Sequence, residues 1–222
     1  MCSYDLGTPS PPRSVPRWRP GGRVDACALR SIRLESEPVE RLGSISAMST
    51  QEIRVFGDPV LRRPTSLVTD IDGAFVKLVE AMYDTMHAAP GSGLAACQVG
   101  VQKRFFVYDE YDGAGPDVIV NPQIVESRGS SPYEEGCLSI PGYGFEVIRP
   151  EVVTITGLDL DGREIVIETG GHLSRVFQHE TDHLDGILVL DRLDPDQRKQ
   201  AMRALREHGL AGETPGGRRH SL

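Results

Sequence analysis

Gln178-His179-Glu180-Thr181-Asp182-His183-Leu184-Asp185-Gly186 carries the pattern H-E-x-x-H on a segment with helical spacing. Histidines four apart on a helix project the same way, so their imidazoles can share one metal ion. The glutamate between them stands beside such an ion, placed to act as a general base on water. On a helical wheel Leu173, Phe177 and Leu184 form one apolar edge with Glu180 near it. His179 and His183 leave from the adjoining edge beside Val176. All three chemical groups therefore turn toward a core, where an unpaired polar group costs about 1–3 kcal/mol. A metal supplies the compensation; two hydrogen-bonded core histidines are the alternative.

Working outward, Gly170-Gly171 precedes this helix and Gly186 ends it. Ile187–Leu190 suits a short strand, and a third helix starts at Asp194 or Pro195 and runs to about Gly209. Upstream, Asp70 or Asp72 caps a helix reaching about Ala88, with Phe75, Val79, Met82 and Met86 at core spacing. His87 at its end eases the helix dipole. Between the two helices lie strand-like runs at 104–109, 117–126, 144–148, 151–158 and 164–168, with Asp161-Gly162 as a hairpin turn. Residues 53–65 suit an extended segment with turns at Gly57-Asp58-Pro59 and Pro64. The expected fold is α+β: antiparallel sheets packed around a central metal-binding helix, with an N-terminal and a C-terminal helix.

The 222 residues suffice for one domain with a real core. Residues 1–47 hold six of the sixteen prolines, no lysine and no sustained period. They read as a disordered extension, or as sequence ahead of a true start at Met48; five acids there argue against a transit peptide. Residues 48–209 then form the catalytic domain, and 210–222 a disordered tail. No run of eighteen apolar residues is present and no secretory signal opens the chain, which argues against a membrane span and export. Cys2, Cys27, Cys97 and Cys137 show neither C-x-x-C spacing nor the density of a disulfide framework, which favours the cytoplasm. The chain carries a net charge of −8, arguing against specific DNA binding. Residues 192–222 reverse this locally, with six arginines and Lys199 against four acids.

Two further stretches carry chemistry. Leu94-Ala95-Ala96-Cys97-Gln98-Val99-Gly100 is small and glycine-bounded; it allows a close approach to the backbone, and equally a plain tight turn. Glu134-Glu135-Gly136-Cys137-Leu138-Ser139 sets one cysteine beside an exposed backbone and two acids, although a lone cysteine is more often a buried apolar residue. Taken in order with the first motif, Gly91–Gln98 (GSGLAACQ), Glu135–Ser139 (EGCLS) and Gln178–Leu184 (QHETDHL) resemble the peptide deformylases. The resemblance covers about 53–208. It departs at Ser92, where the family usually has an aliphatic pocket-wall residue, and at Cys97, a variable position often held by proline.

That resemblance implies hydrolysis of the formyl group from N-formyl-methionyl nascent peptides. It implies Cys137, His179 and His183 as ligands to Fe2+, for which Zn2+, Ni2+ or Co2+ can substitute. Three protein ligands leave an open position, the mark of a catalytic site. Glu180 becomes the proton shuttle. The Gln98 side chain and the Leu138 backbone N–H become the oxyanion donors. Ser92, Gly93, Glu135 and Gly136 fall at the substrate, with Gly93 and Gly136 letting the peptide lie alongside as an added strand. Arg149 and Asp182 are implied as supporting groups, and the C-terminal helix as a dock on the ribosome. Two rival readings remain: a zinc peptidase, and a closed structural site in which Cys97 is the fourth ligand.

Overall fold

A computed structural model describes residues 50–111 and 115–207. The expectations for 1–47 and for the tail at 210–222 lie outside the described residues. The element order is α1 (Gly73–Ala88), β1 (Gly93–Ala95), β2 (Phe105–Tyr108), β3 (Asp117–Arg128), β4 (Ser131–Gly136), β5 (Gly144–Arg149), β6 (Val152–Leu158), β7 (Glu164–Thr169), α2 (Gly171–Leu184) and α3 (Pro195–Glu207). Five strands form one antiparallel sheet in the order β1-β2-β3-β6-β7, and β4 and β5 form a separate hairpin. The α+β architecture matches the sequence-based expectation.

Strand β2 shows why the sheet is covered on both faces. All four residues of Phe-Phe-Val-Tyr are buried, and side chains alternate across a strand. Phe105 and Val107 enter the core with Val79, Met82 and Met86 of α1. Phe106 and Tyr108 enter the core with Val176, Phe177 and Leu184 of α2. Aromatic pairs lock each layer, Phe75–Phe105 at 4.7 Å and Tyr108–Phe177 at 4.9 Å between ring centroids, both edge-to-face. Helix α1 starts at Asp72, whose carboxylate accepts from the Ala74 and Phe75 N–H groups, a conventional N-cap.

The inward-facing edge that the helical wheel gives α2 is part of a wider burial: every residue from Ser174 to Leu184 is buried, because the sheet covers one side and the hairpin region the other. Gln178 and Asp182 on the far side are partnered. Gln178 Nε2 donates to the Pro150 carbonyl at 3.0 Å, and Asp182 pairs with Arg149 and Arg192. A third core joins the hairpin, the Cys137 loop and α3 through Ile140, Val147, Leu190, Ala201 and Leu205.

Several local expectations are corrected. Residues 187–190 form no strand; Val189–Asp191 is a short 3-10 turn, held by Asp191 accepting from the Leu188 N–H at 2.9 Å, with Leu188, Val189 and Leu190 drawn into the core. Pro59–Arg62 is likewise a 3-10 turn, capped by Asp58. Strands β1 and β4 lie where turn or loop was read. Strand β3 is longer than expected and is bulged between Val120 and Glu126. Asn121 takes a left-handed backbone there while its side chain bonds the Val68 N–H and carbonyl.

Gly157 on β6 faces this bulge. A Cβ at 157 would meet the Ile119 side chain and stand 2.8 Å from the Val120 carbonyl oxygen. Overpacking of this kind costs about 1–3 kcal/mol. Gly157→Ala is expected to lower the urea midpoint accordingly, with an unchanged slope; a midpoint equal to that of the wild type would show that the crossing relaxes freely.

Candidate metal centre

Helix α2 and the loop after β4 meet at one point. The ligand atoms of Cys137, His179 and His183 all lie within 4.8 Å of one another, and all three residues are buried. Cys137 Sγ is 3.3 Å from His183 Nε2. A thiolate bond of about 2.3 Å and an imidazole bond of about 2.0–2.1 Å at tetrahedral angles put such atoms about 3.5 Å apart. The donor set therefore fits a transition metal, and by its softness an iron- or zinc-class ion rather than a hard cation.

His179 is oriented from behind by a chain of charged groups. His179 Nδ1 faces Glu135 Oε2 at 3.2 Å, which leaves Nε2 for coordination. Glu135 is clamped by Arg149, Nε to Oε1 at 2.7 Å and Nη2 to Oε2 at 2.9 Å. Arg149 Nη1 continues to Asp182 Oδ2 at 2.7 Å, and Arg192 closes the chain on Asp182. Burial alone would raise the Glu135 carboxyl, but the hydrogen bonds from His179 and Arg149 override it and hold it below the ordinary range. Burial likewise works against charge on His179, and its bonds to Cys137 and Glu135 win, so the imidazole is pulled well above its ordinary value. The pull that a proton answers there is one that a metal cation also answers. His183 is pushed the other way, by burial and then by the neighbouring charge on His179, which leaves a neutral ligand.

Glu180 stands next to this group with a buried Oε2 that has no hydrogen-bond partner. Burial pushes its carboxyl up to about 7, against the opposing pull of His179 and the Ala95 backbone. A carboxyl poised near neutrality both accepts and returns a proton. Gly93 makes room for it: a Cβ there would lie 2.5 Å from Glu180 Oε1 and 2.8 Å from Val176 Cγ1.

Gln98 sits in a 3-10 turn, Ala96–Val99, directly after β1. Its Oε1 accepts from the Ala95 N–H at 2.8 Å, which turns Nε2 toward Ser139 Oγ at 3.1 Å and Cys137 Sγ at 4.0 Å. Cys97 donates to the His183 carbonyl oxygen at 3.2 Å, and burial pushes its thiol up to about 12. It is a neutral donor to a ligand's backbone. Among the described residues it is absent from the cluster of potential ligand atoms, so the closed four-ligand reading fails.

A cleft of about 750 Å³ opens on the centre. Ser92, Gly93, Gln98, Glu135, Gly136, Cys137, Leu138, His179 and Glu180 all line it; His183 lies behind them, 1 % exposed. Of the residues singled out in the sequence, His87 pairs instead with Asp109 at 2.9 Å. Sequence reading passed over Tyr133, His172, Arg175 and Val176 as cleft residues. Three of them sit one or two turns ahead of His179 on α2, a spacing that marks them as neighbours once one face is known to line a cleft.

The family model described as Polypeptide deformylase matches residues 50–199. The peptide deformylase of Acidothermus cellulolyticus is 47% identical over 167 residues, spanning 75% of this chain and 92% of its own. A crystal structure of a peptide deformylase from Legionella pneumophila superposes with a TM-score of 0.69 at 41% identity, covering 72% of this chain and 96% of that one. The enzyme from Synechococcus elongatus, solved in complex with actinonin, gives a TM-score of 0.69 at 39% identity over 72% of this chain and 89% of its own. These matches cover the centre's three motifs together with the sheet and helices that carry them, and the chain therefore belongs to the polypeptide deformylases, metal-dependent hydrolases that remove the formyl group from nascent peptides.

Proposed function

We propose that Cys137, His179 and His183 hold one Fe2+, with Zn2+, Ni2+ or Co2+ able to replace it, and that Glu180 moves the proton in formyl hydrolysis. The observation that carries this is a carboxyl pushed up to about 7, with one unpartnered oxygen, beside a convergent Cys-His-His set. Bound there, the cation supplies Lewis acidity, which polarises the formyl oxygen and makes water nucleophilic near neutral pH. Glu180 takes the proton that the attacking water loses and returns it to the leaving amine nitrogen, so that formate and a free N-terminus result. Gln98 Nε2, steered by the Ala95 bond, and the Leu138 backbone N–H donate to the oxyanion as charge develops. Glu135 acts by orienting His179, and Arg149 by holding Glu135.

The substrate lies between two free strand edges. Strand β1 ends the five-stranded sheet and β4 belongs to the separate hairpin. Both contribute lining, through Gly93 and through Glu134, Glu135 and Gly136. Pairing through the backbone accepts many sequences beyond the first residue.

Residues 48–209 are the catalytic unit in this reading, acting in the cytoplasm. Support comes from the substrate and from Cys97 and Cys137, which are free thiols. Among the described residues no helix is long and apolar enough to cross a membrane. Helix α3 is the surface we assign to ribosome docking, since Arg198, Lys199, Arg203 and Arg206 are exposed while Ala201 and Leu205 face the core.

The reading is tested by formate release from formyl-Met-Ala-Ser with anaerobically iron-loaded protein; an enzyme silent under those conditions sinks it. Glu180→Gln is expected to lose about 10²–10⁴ in kcat, and Gln98→Ala about 10²–10³, with the metal retained in both. Arg149→Met takes both guanidinium bonds from the buried Glu135, leaving it only His179, and one from Asp182, which keeps Arg192; it is expected to cost about 3–5 kcal/mol in chemical denaturation. The same variant should also hold less than one metal per chain by elemental analysis, and full loading at unchanged stability would refute the clamp. Arg203→Glu with Arg206→Glu should abolish co-sedimentation with ribosomes at low salt while sparing hydrolysis of the tripeptide; undiminished co-sedimentation would rule out docking through α3.

A further inference from the structure

One end of the cleft is polar, and the reaction as derived leaves it without a task. Arg175 stands one turn before His179 on α2, and His172 nearly one turn before Arg175. Arg175 lines the cleft yet is only 3 % exposed. Its Nη2 donates to the Ser131 carbonyl oxygen at 2.6 Å and to Ser131 Oγ at 2.5 Å. Its Nη1 is buried without a hydrogen-bond partner among the described residues. The Tyr133 ring lies against the guanidinium, 5.8 Å from Cζ to the ring centroid. That ring is itself 42 % exposed, and its hydroxyl meets His172 Nδ1 at 3.3 Å. Ser92 adds a further hydroxyl-bearing side chain to the same lining.

A buried cationic donor with an unmade bond is costly to the free protein. Its position says what could complete it. In the deformylation reading the scissile amide stands level with His179 and Glu180. From its nitrogen an extended side chain of methionine length reaches about 5 Å, close to the helical pitch of about 5.4 Å. Directed along the cleft toward the N-terminal end of α2, where Arg175 lines it, the substrate's first side chain ends level with Arg175. A half-exposed ring on a hairpin yields to an arriving side chain more readily than a core residue does, and its hydroxyl can turn to water.

We propose that Arg175 is a specificity-determining residue whose Nη1 donates to an oxygen acceptor at the end of the substrate's first side chain. The enzyme then accepts formyl peptides beginning with methionine sulfoxide or glutamine as well as methionine. The inference rests on the deformylation reading above. Oxidation turns the apolar methionine tip into a strong, compact acceptor, whereas the thioether is a weak one and norleucine, of the same length, has none.

The test is kcat/KM for formyl-X-Ala-Ser, with X methionine sulfoxide, glutamine, methionine or norleucine, on the iron-loaded full chain and on Arg175→Met and Arg175→Lys. The wild type is expected to process the sulfoxide at least as well as norleucine. Arg175→Met should lower the sulfoxide-to-norleucine and glutamine-to-norleucine ratios at least tenfold, and Arg175→Lys should restore part of each. A gain confined to one of the two substrates supports the proposal and identifies the acceptor that is read. Ratios equal in wild type and Arg175→Met overturn it. Should Arg175→Met fail to fold, the wild type decides alone: a sulfoxide peptide cleaved over a hundredfold more slowly than the norleucine peptide overturns the proposal. Formate from none of the four peptides would instead overturn the deformylation reading, and this inference with it.

Discussion

The guanidinium of Arg149 is the joint on which the centre depends. It leaves β5, grips Glu135 on β4 with two bonds and reaches Asp182 on α2 with a third. These elements belong to different parts of the fold: α2 packs on the five-stranded sheet, and the hairpin pairs only within itself. Cys137 comes from the hairpin side and the histidines from the helix, so the ligand set exists only while the two are held in register. Five charged or imidazole groups in contact, mostly buried, are a poor source of stability compared with apolar packing of the same volume. Their value is geometric, because each bond has one length and one direction.

Neighbouring groups of like chemistry are driven apart by this arrangement. Glu135 and Glu180 are both buried carboxyls. Glu135 has Arg149 and His179 as bonded partners and is held ionised; Glu180 has a bare oxygen and is pushed up to about 7. His179 and His183 stand one turn apart with ring centroids at 4.8 Å, yet one is pulled toward charge and the other away from it. The difference lies in what the second nitrogen or oxygen meets. Glu135 backs His179, whereas His183 Nδ1 has no partner among the described residues. Two pairs of identical residues thereby acquire four distinct tasks.

Much of this was legible in the sequence, and the exceptions have physical reasons. The α1 stripe, a cap at Asp70 or Asp72 and a strand at 104–109 are local patterns, and they read correctly, with Asp72 as the cap. H-E-x-x-H gave two ligands because a helix converts spacing into direction. Cys137 lies about forty residues earlier, and no periodicity links it to α2; only the resemblance of the surrounding motif singled it out. Strand β1 was missed because its three residues become a strand by pairing Leu94 with Val107 of β2, a nonlocal event in a glycine- and alanine-rich stretch. Strand β4 was missed because Pro132 and two acids leave it without a hydrophobic alternation; its strand character comes from β5. The burial of Arg175, Gln178 and Asp182 on the far side of α2 was not read, because a single sequence does not disclose the partners that allow polar residues to be buried.

Gly93 ties the backbone to the chemistry more tightly than the metal ligands suggest. The β1 edge passes close to α2, as the proposed proton transfer by Glu180 requires, and a Cβ at 93 would stand 2.5 Å from Glu180 Oε1. The same closeness keeps solvent from the carboxylate and so raises its pKa; in a looser site it would be an ordinary surface acid, always ionised and a weak proton donor. Glycine at 93 and the absence of a hydrogen-bond partner at Glu180 Oε2 are thus two expressions of one constraint. In the proposed mechanism the strand comes near enough both to present a substrate and to dehydrate the carboxylate, with no side chain of its own in between.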